Sequence, residues 1–164
     1  MGSLEGDALV ERMRSIAREG HHGQEHSFGD GSYFDMHVEP VAWDVRRLGY
    51  GATYIATAYG HDLFEDTAVT AEDLSAERIP TVVIHGIELV TKQGKLTPAE
   101  HEAYLEGILT DWHAIVAKYA DSSRNFAWTI LNSPHISDEK FAAWSLEYAH
   151  NLAVLRPALP PLDR

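Results

Sequence analysis

Gly60-His61-Asp62-Leu63-Phe64-Glu65-Asp66-Thr67 sets one histidine and three carboxylates within six residues, at the end of an apolar run that patterns as a helix from Gly51 to Phe64. Carboxylates crowded into an apolar setting repel one another and lose hydration, so the cluster is costly unless a positive charge sits among them. A divalent metal ion supplies such a charge. His61 and Asp62 are adjacent, about 100° apart around a helix, so both can reach one ion at the helix end. Glu65 and Asp66 follow four residues after each, over the same region one turn on. There they need not bind the ion, and they are well laid out to position or deprotonate a water beside it. Two groups able to complete the shell lie far off in sequence, His37 upstream and Asp121 downstream.

Outward from this stretch the pattern is helical nearly throughout, and the chain reads as all-α. Leu9, Val10, Met13, Ile16 and Ala17 recur at helical spacing. Gly20 to Ser32 is rich in Gly, His, Asp and Ser and reads as a loop long enough to invite function. Helices are expected over Val38 to Leu48, over Ala71 to Ser75, and over Pro80 to Val90 with Pro80 in the first turn. Thr97-Pro98-Ala99-Glu100 is a helix start with a capping box. The apolar stripe after it, from Ala99 through Trp112 to Tyr119, predicts one helix of about six turns. Asp121 to Leu131 is expected as a separate helix, and Asp138 to Leu155 closes the fold before the Pro-rich tail.

Composition sets the outer bounds. The 164 residues suit one domain with a sizeable core, expected to span 1–164 with helix 138–155 packed on it and 156–164 as a tail. Without cysteine there is neither a disulfide nor a thiolate metal site, so a transition metal must be held by imidazole nitrogen and carboxylate oxygen. No apolar run nears the ~20 residues of a membrane span, and the N-terminus lacks the marks of a signal peptide. A cytoplasmic protein without a membrane partner is the expectation. With 13 basic and 25 acidic residues the net charge is −12, which repels nucleic-acid polymers. A small anionic substrate remains open, given a local focus of positive charge. His22, His85, His113, His135 and His150 read as surface or packing residues. Trp43, Trp112, Trp128 and Trp144 read as core or interface, so a homodimer would draw on the same stripes as the core.

Lys118, Asp121 and Asn125 repeat the logic of the opening stretch, since spacings of three and four put them on one helix face. Asp121 could close the metal shell, with Lys118 and Asn125 beside it to meet anionic or polar substrate groups. Two His and two Asp ligands suit Mn²⁺, Fe²⁺ or Zn²⁺, and an oxygen-rich octahedral site leans toward Mn²⁺. Each residue also has a plainer reading. Asp121 could cap a helix, His37 could be a hydrogen-bonded loop histidine, and His26 faces either substrate or solvent. Lys92 and Lys95 read as solvated charges, Lys92 being the better placed for a phosphate, and Arg18 faces either the site or water.

Taken in order, these pieces resemble the HD-domain hydrolases of the bifunctional alarmone (guanosine tetra/pentaphosphate) synthetase/hydrolases and their small single-domain relatives. The family runs A-H-x-x-Q, R-K, G-x-P-Y-x-x-H-P, H-D-x-x-E-D-T, V-T-K and K-x-A-D-x-x-x-N. Here His21, Gly23 and Gln24 match the first piece, and Gly31 to His37 match the third with the aromatic and the histidine in place. His61-Asp62 with Glu65-Asp66-Thr67, Val90-Thr91-Lys92, and Lys118-Tyr119-Ala120-Asp121 with Asn125 match throughout. The resemblance spans residues 16 to 127. It implies a single helical HD domain without a synthetase segment, and His37, His61, Asp62 and Asp121 as ligands of one divalent metal, usually Mn²⁺. It further implies Glu65 and Asp66 as the pair that positions and activates water, and removal of the 3′-pyrophosphate from guanosine 3′,5′-bis(diphosphate).

The departures fall elsewhere. The family's Arg-Lys pair, which faces the base, is His26-Ser27, the Pro after the metal histidine is Val38, and the usual Arg-Leu-His after the aspartate is Ser122-Ser123-Arg124. The expected function is therefore a metal-dependent phosphohydrolase on a phosphorylated nucleotide, with Lys118, Asn125, Arg124, His26 and His21 as substrate contacts. Two alternatives stand beside the alarmone reaction. One is a phosphomonoesterase on another nucleotide or phosphorylated metabolite. The other is a catalytically silent nucleotide sensor, which the complete ligand set disfavours.

Overall fold

The first helix, α1 (Gly6–Gly20), turns Leu9, Val10, Met13 and Ala17 inward, the face that its three-to-four-residue spacing marks out. The computed structural model describes residues 2–162, and among these no strand forms beyond one isolated antiparallel bridge between Glu25 and Ser32. That bridge closes the loop after α1. A single wide turn of π-helix, Phe34–Val38, then runs directly into α2 (Glu39–Arg47). Such turns insert one extra residue per winding and often mark functional positions. This one buries Phe34, His37 and Val38 together.

The central helix is α3 (Ala52–Gly60), whose Ile55, Ala56, Ala58 and Tyr59 pack among α1, α2, α6 (Thr81–Val90) and α8 (Trp112–Leu131). Two glycines permit the close approach. A Cβ on Gly60 would lie 2.2 Å from Ile87 Cδ1, and one on Gly86 would lie 2.9 Å from Thr57 Cγ2. The expected run from Gly51 to Phe64 is broken. It stops at Gly60, Asp62 takes φ −108° and ψ 1°, and a separate short turn, α4 (Leu63–Asp66), follows. Consecutive side chains on an unbroken helix diverge by about 100°, and the break draws these two closer. Here His61 Nε2 and Asp62 Oδ2 come within 2.9 Å.

Helix α5 (Ala71–Ala76) starts with a Thr70–Asp73 capping box, and α7 (Pro98–Ile108) starts with the Thr97–Glu100 box anticipated for it. The expected six-turn helix after Thr97 does not form. The chain breaks at Leu109 to Asp111, where the Asp111 carboxylate accepts from Ala114 N–H at 2.9 Å and caps α8. From there α8 runs unbroken to Leu131, so Asp121 sits mid-helix and does not start a new one. Helix α9 (Asp138–Leu155) lies along α8, and a 3₁₀ turn at Arg156–Ala158 follows it, with Pro157 tolerated at the start. A second apolar cluster joins Val90, Leu105, Ile108, Ala114, Ile115 and Leu155 beneath α7, α8 and α9. The tryptophans are not core. Trp43 and Trp112 are more than half exposed, and Trp128 and Trp144 are half-buried. Among the described residues no helix is long and apolar enough to cross a membrane.

Candidate metal centre

Three elements deliver four side chains to one point. The π-turn brings His37, the break after α3 brings His61 and Asp62, and the middle of α8 brings Asp121. His37 Nε2 lies 3.2 Å from His61 Nε2, 3.2 Å from Asp121 Oδ1 and 3.6 Å from Asp62 Oδ2. His61 Nε2 is 2.9 Å from Asp62 Oδ2 and 3.7 Å from Asp121 Oδ1. Ligands about 2.1 Å from one ion and at right angles to each other lie about 3.0 Å apart, so these separations are close to what one shared ion would require. His37, His61 and Asp121 are buried, and their ligand atoms form a group able to hold a metal ion.

The tautomer sharpens the point. His61 Nδ1 donates to the Ala58 carbonyl at 2.7 Å, which fixes that ring's proton and leaves Nε2 as a lone pair. That lone pair faces two carboxylate oxygens and a second imidazole nitrogen. The arrangement is repulsive unless a cation or an extra proton sits between them. Burial opposes charge on His61, but Asp62 and then Asp121 outweigh it and push its pKa up to about 9. Burial likewise opposes ionisation of Asp62 and Asp121. The Asp62 carboxyl is nevertheless held well below the usual carboxylate range, chiefly by His61, and that of Asp121 chiefly by Lys118.

Around the ligands lies a layer of donors. Tyr33 O–H donates to Asp62 Oδ2 at 2.6 Å, Lys118 Nζ to Asp121 Oδ2 at 2.7 Å, and Asn125 Nδ2 to Asp121 Oδ1 at 2.7 Å. Such partners orient ligating carboxylates. Burial beside Asp62 raises the Tyr33 pKa far above the ordinary phenol value, so it remains a donor. Glu65 and Asp66 line the same cleft from α4. Burial raises both of their pKa values above the ordinary carboxylate values. Glu65 Oε2 accepts from Lys92 N–H at 3.1 Å, which ties α4 to the end of α6.

The other expected contacts are placed as follows. Lys118 and Asn125 line the cleft, each with one donor already on Asp121. His21 is buried behind the site, its Nδ1 2.8 Å from Gln24 Oε1, and Gln24 in turn donates to the Asp66 carbonyl. His26 stacks on the ring of His37 while its Nδ1 sits 2.8 Å from Asp30. Arg124 is not brought to the cleft, because its guanidinium pairs with Asp44 of α2. Lys92 does line it, and Arg18 lies against Glu39 and over the Phe34 ring. Two cleft residues escaped the sequence reading as site groups. Tyr33 stood in a matched motif, but nothing in sequence told its hydroxyl from a packing phenol. Tyr148 comes from α9, beyond the stretch of resemblance, and burial raises its pKa to about 12.

No family model matches this chain, and no curated protein does. A solved structure does: a metazoan ortholog of SpoT, described as hydrolyzing ppGpp and playing a role in starvation responses. The two share 21% sequence identity and superpose with a TM-score of 0.73 over 96% of this chain and 94% of that one. This chain therefore has the fold of that hydrolase.

Proposed function

We propose that this chain is a divalent-metal-dependent phosphohydrolase acting on a nucleotide, with removal of the 3′-pyrophosphate from guanosine 3′,5′-bis(diphosphate) as its leading reaction. The observation that carries the proposal is the convergence of His37, His61, Asp62 and Asp121 around the His61 Nε2, whose lone pair calls for a cation or an extra proton. The cleft also needs a cation. Along its lining Asp62, Asp121, Glu65 and Asp66 outnumber the positive charges of Lys92, Lys118 and a protonated His61, so a phosphate would be repelled unless a dication were bound. The similarity in fold to a ppGpp hydrolase supports the reaction class.

The four ligands would hold the metal, Mn²⁺ being our choice, and the metal would supply Lewis acidity toward a phosphoryl oxygen and the attacking water. Glu65 and Asp66 orient that water. One of them accepts its proton as the new oxygen–phosphorus bond forms, and that proton passes to the ribose 3′ oxygen as its bond to phosphorus breaks, leaving a hydroxyl. Lys118 keeps donors in reserve, since an ammonium carries three and Asp121 takes one. Lys118 and Tyr148 are placed to hold the departing phosphates.

A second reading, a phosphomonoesterase on another nucleotide, gains from Arg124 and His26, which pair with Asp44 and Asp30. One panel separates the two. Protein reconstituted with Mn²⁺ is offered the guanosine tetraphosphate, NADPH and deoxynucleotides, and phosphate and pyrophosphate are assayed separately. Pyrophosphate from the tetraphosphate supports the leading reaction, phosphate from another substrate supports the second, and metal-replete protein without turnover refutes both.

A further inference from the structure

The loop closed by the Glu25–Ser32 bridge carries Phe28 at its tip. Phe28 has φ +65°, a conformation that disfavours any side chain with a Cβ, and it is 63% exposed. Backbone outliers of this kind gather at ligand clamps. The ring stacks on Trp128 with centroids 5.4 Å apart and planes 25° apart, and His135 meets it edge-on at 6.3 Å. Trp128 meets His26 at 5.6 Å, and His26 lies parallel to the ring of His37 at 6.4 Å. An aromatic path thus leads from the metal shell to the open face of Phe28. Trp128 is also one turn along α8 from Asn125, which lines the cleft. Because His26 is held by Asp30, this face offers π surface more than edge-reading groups.

We propose that Phe28 and Trp128 form a stacking platform for the base of the nucleotide whose phosphate sits at the metal centre. The inference rests on the phosphohydrolase reading above. A stacking platform reads the π face that every base has, not its hydrogen-bonding edge. The base is therefore required, while guanine and adenine are told apart only weakly.

The test measures binding by calorimetry in the Glu65→Gln protein with Mn²⁺, using GDP, ADP and ribose 5-phosphate as probes. Turnover of the guanosine tetraphosphate is measured in the otherwise unaltered enzyme. Phe28→Ala should weaken GDP and ADP alike by about tenfold or more, leave ribose 5-phosphate unchanged, and raise KM with kcat kept. Phe28→Trp should restore all of these. Phe28 is exposed, so its replacement does not threaten the fold. If nucleotides are bound in a Phe28-dependent way but never hydrolysed, the platform stands and the reaction assignment fails. If the tetraphosphate is turned over with KM unmoved by Phe28→Ala, the reaction stands and the platform is overturned. Absence of any GDP or ADP binding overturns it as well.

Discussion

A metal held at His61 would displace a proton from the same nitrogen, and that exchange should be visible as a pH-dependent melting temperature. Without metal, the His61 pKa is raised from its ordinary 6.5 to about 9, against the cost of burial, by Asp62 and Asp121. A histidine raised in the folded state adds stability that is fully present below the unfolded value and is lost as pH rises through the folded one. At about 1.4 kcal/mol per unit, this buried ring is worth about 3 kcal/mol across that window. For a chain of this length, 1 kcal/mol moves Tm by about 2–4 °C. Metal-free protein in EDTA should therefore melt about 6–12 °C lower at pH 9 than at pH 6.5. Mn²⁺ works in the opposite sense, since its ligands must be deprotonated and its affinity grows with pH. At a hundred times its Kd it adds about 2.7 kcal/mol, so the two melting curves should diverge upward in pH. Differential scanning calorimetry with EDTA and with Mn²⁺ at several pH values measures both. A metal-free Tm that is flat from pH 6.5 to 9, or no Mn²⁺ stabilisation at pH 8.5, would refute the reasoning.

The water-handling pair and the layer behind the ligands make separate predictions. Glu65→Gln should cut turnover by about 10²–10⁴-fold while the Mn²⁺-induced rise in Tm remains; an active variant removes Glu65 from the chemistry. Tyr33→Phe removes the 2.6 Å hydrogen bond to Asp62. It should lower Mn²⁺ affinity by about 10–100-fold in calorimetric titration, and unchanged affinity would make that hydroxyl incidental.

Much of the fold was legible because burial and capping are written locally. The inward face of α1 and the Thr97–Glu100 start follow from spacing and cap chemistry alone. The errors arose where a local rule met a competing one. The apolar stripe from Ala99 to Tyr119 keeps helical spacing straight across Leu109-Thr110-Asp111, so periodicity could not reveal the break. The Asp111 side chain, bonded to Ala114 N–H, restarts the helix there. The break at His61-Asp62 was hidden in the same way, since Gly51 to Phe64 is apolar enough for one continuous helix. Its mark in the structure is the approach of His61 Nε2 to Asp62 Oδ2 at 2.9 Å. Tyr148 was out of reach because α9 meets the cleft through tertiary packing on α8, which leaves no mark at the residue itself.

The two halves of the cleft differ in legibility for a chemical reason. Four atoms that would share one ion admit few side chains and little freedom of position, so His37, His61, Asp62 and Asp121 stand out by residue type and spacing alone. A surface that reads a base by stacking asks only for flat, polarisable area, which Phe, Trp, His or a guanidinium can each supply. Such a surface can be rebuilt without preserving any spacing. The local ion pairs fit that account. His26 binds Asp30 within its own loop, and Arg124 binds Asp44 across to α2, so each of these groups is engaged away from a base edge. With both polar groups committed, the proposed platform would hold a base on the rings of Phe28 and Trp128. Selectivity in this chain would then rest on the phosphates and the metal more than on the identity of the base.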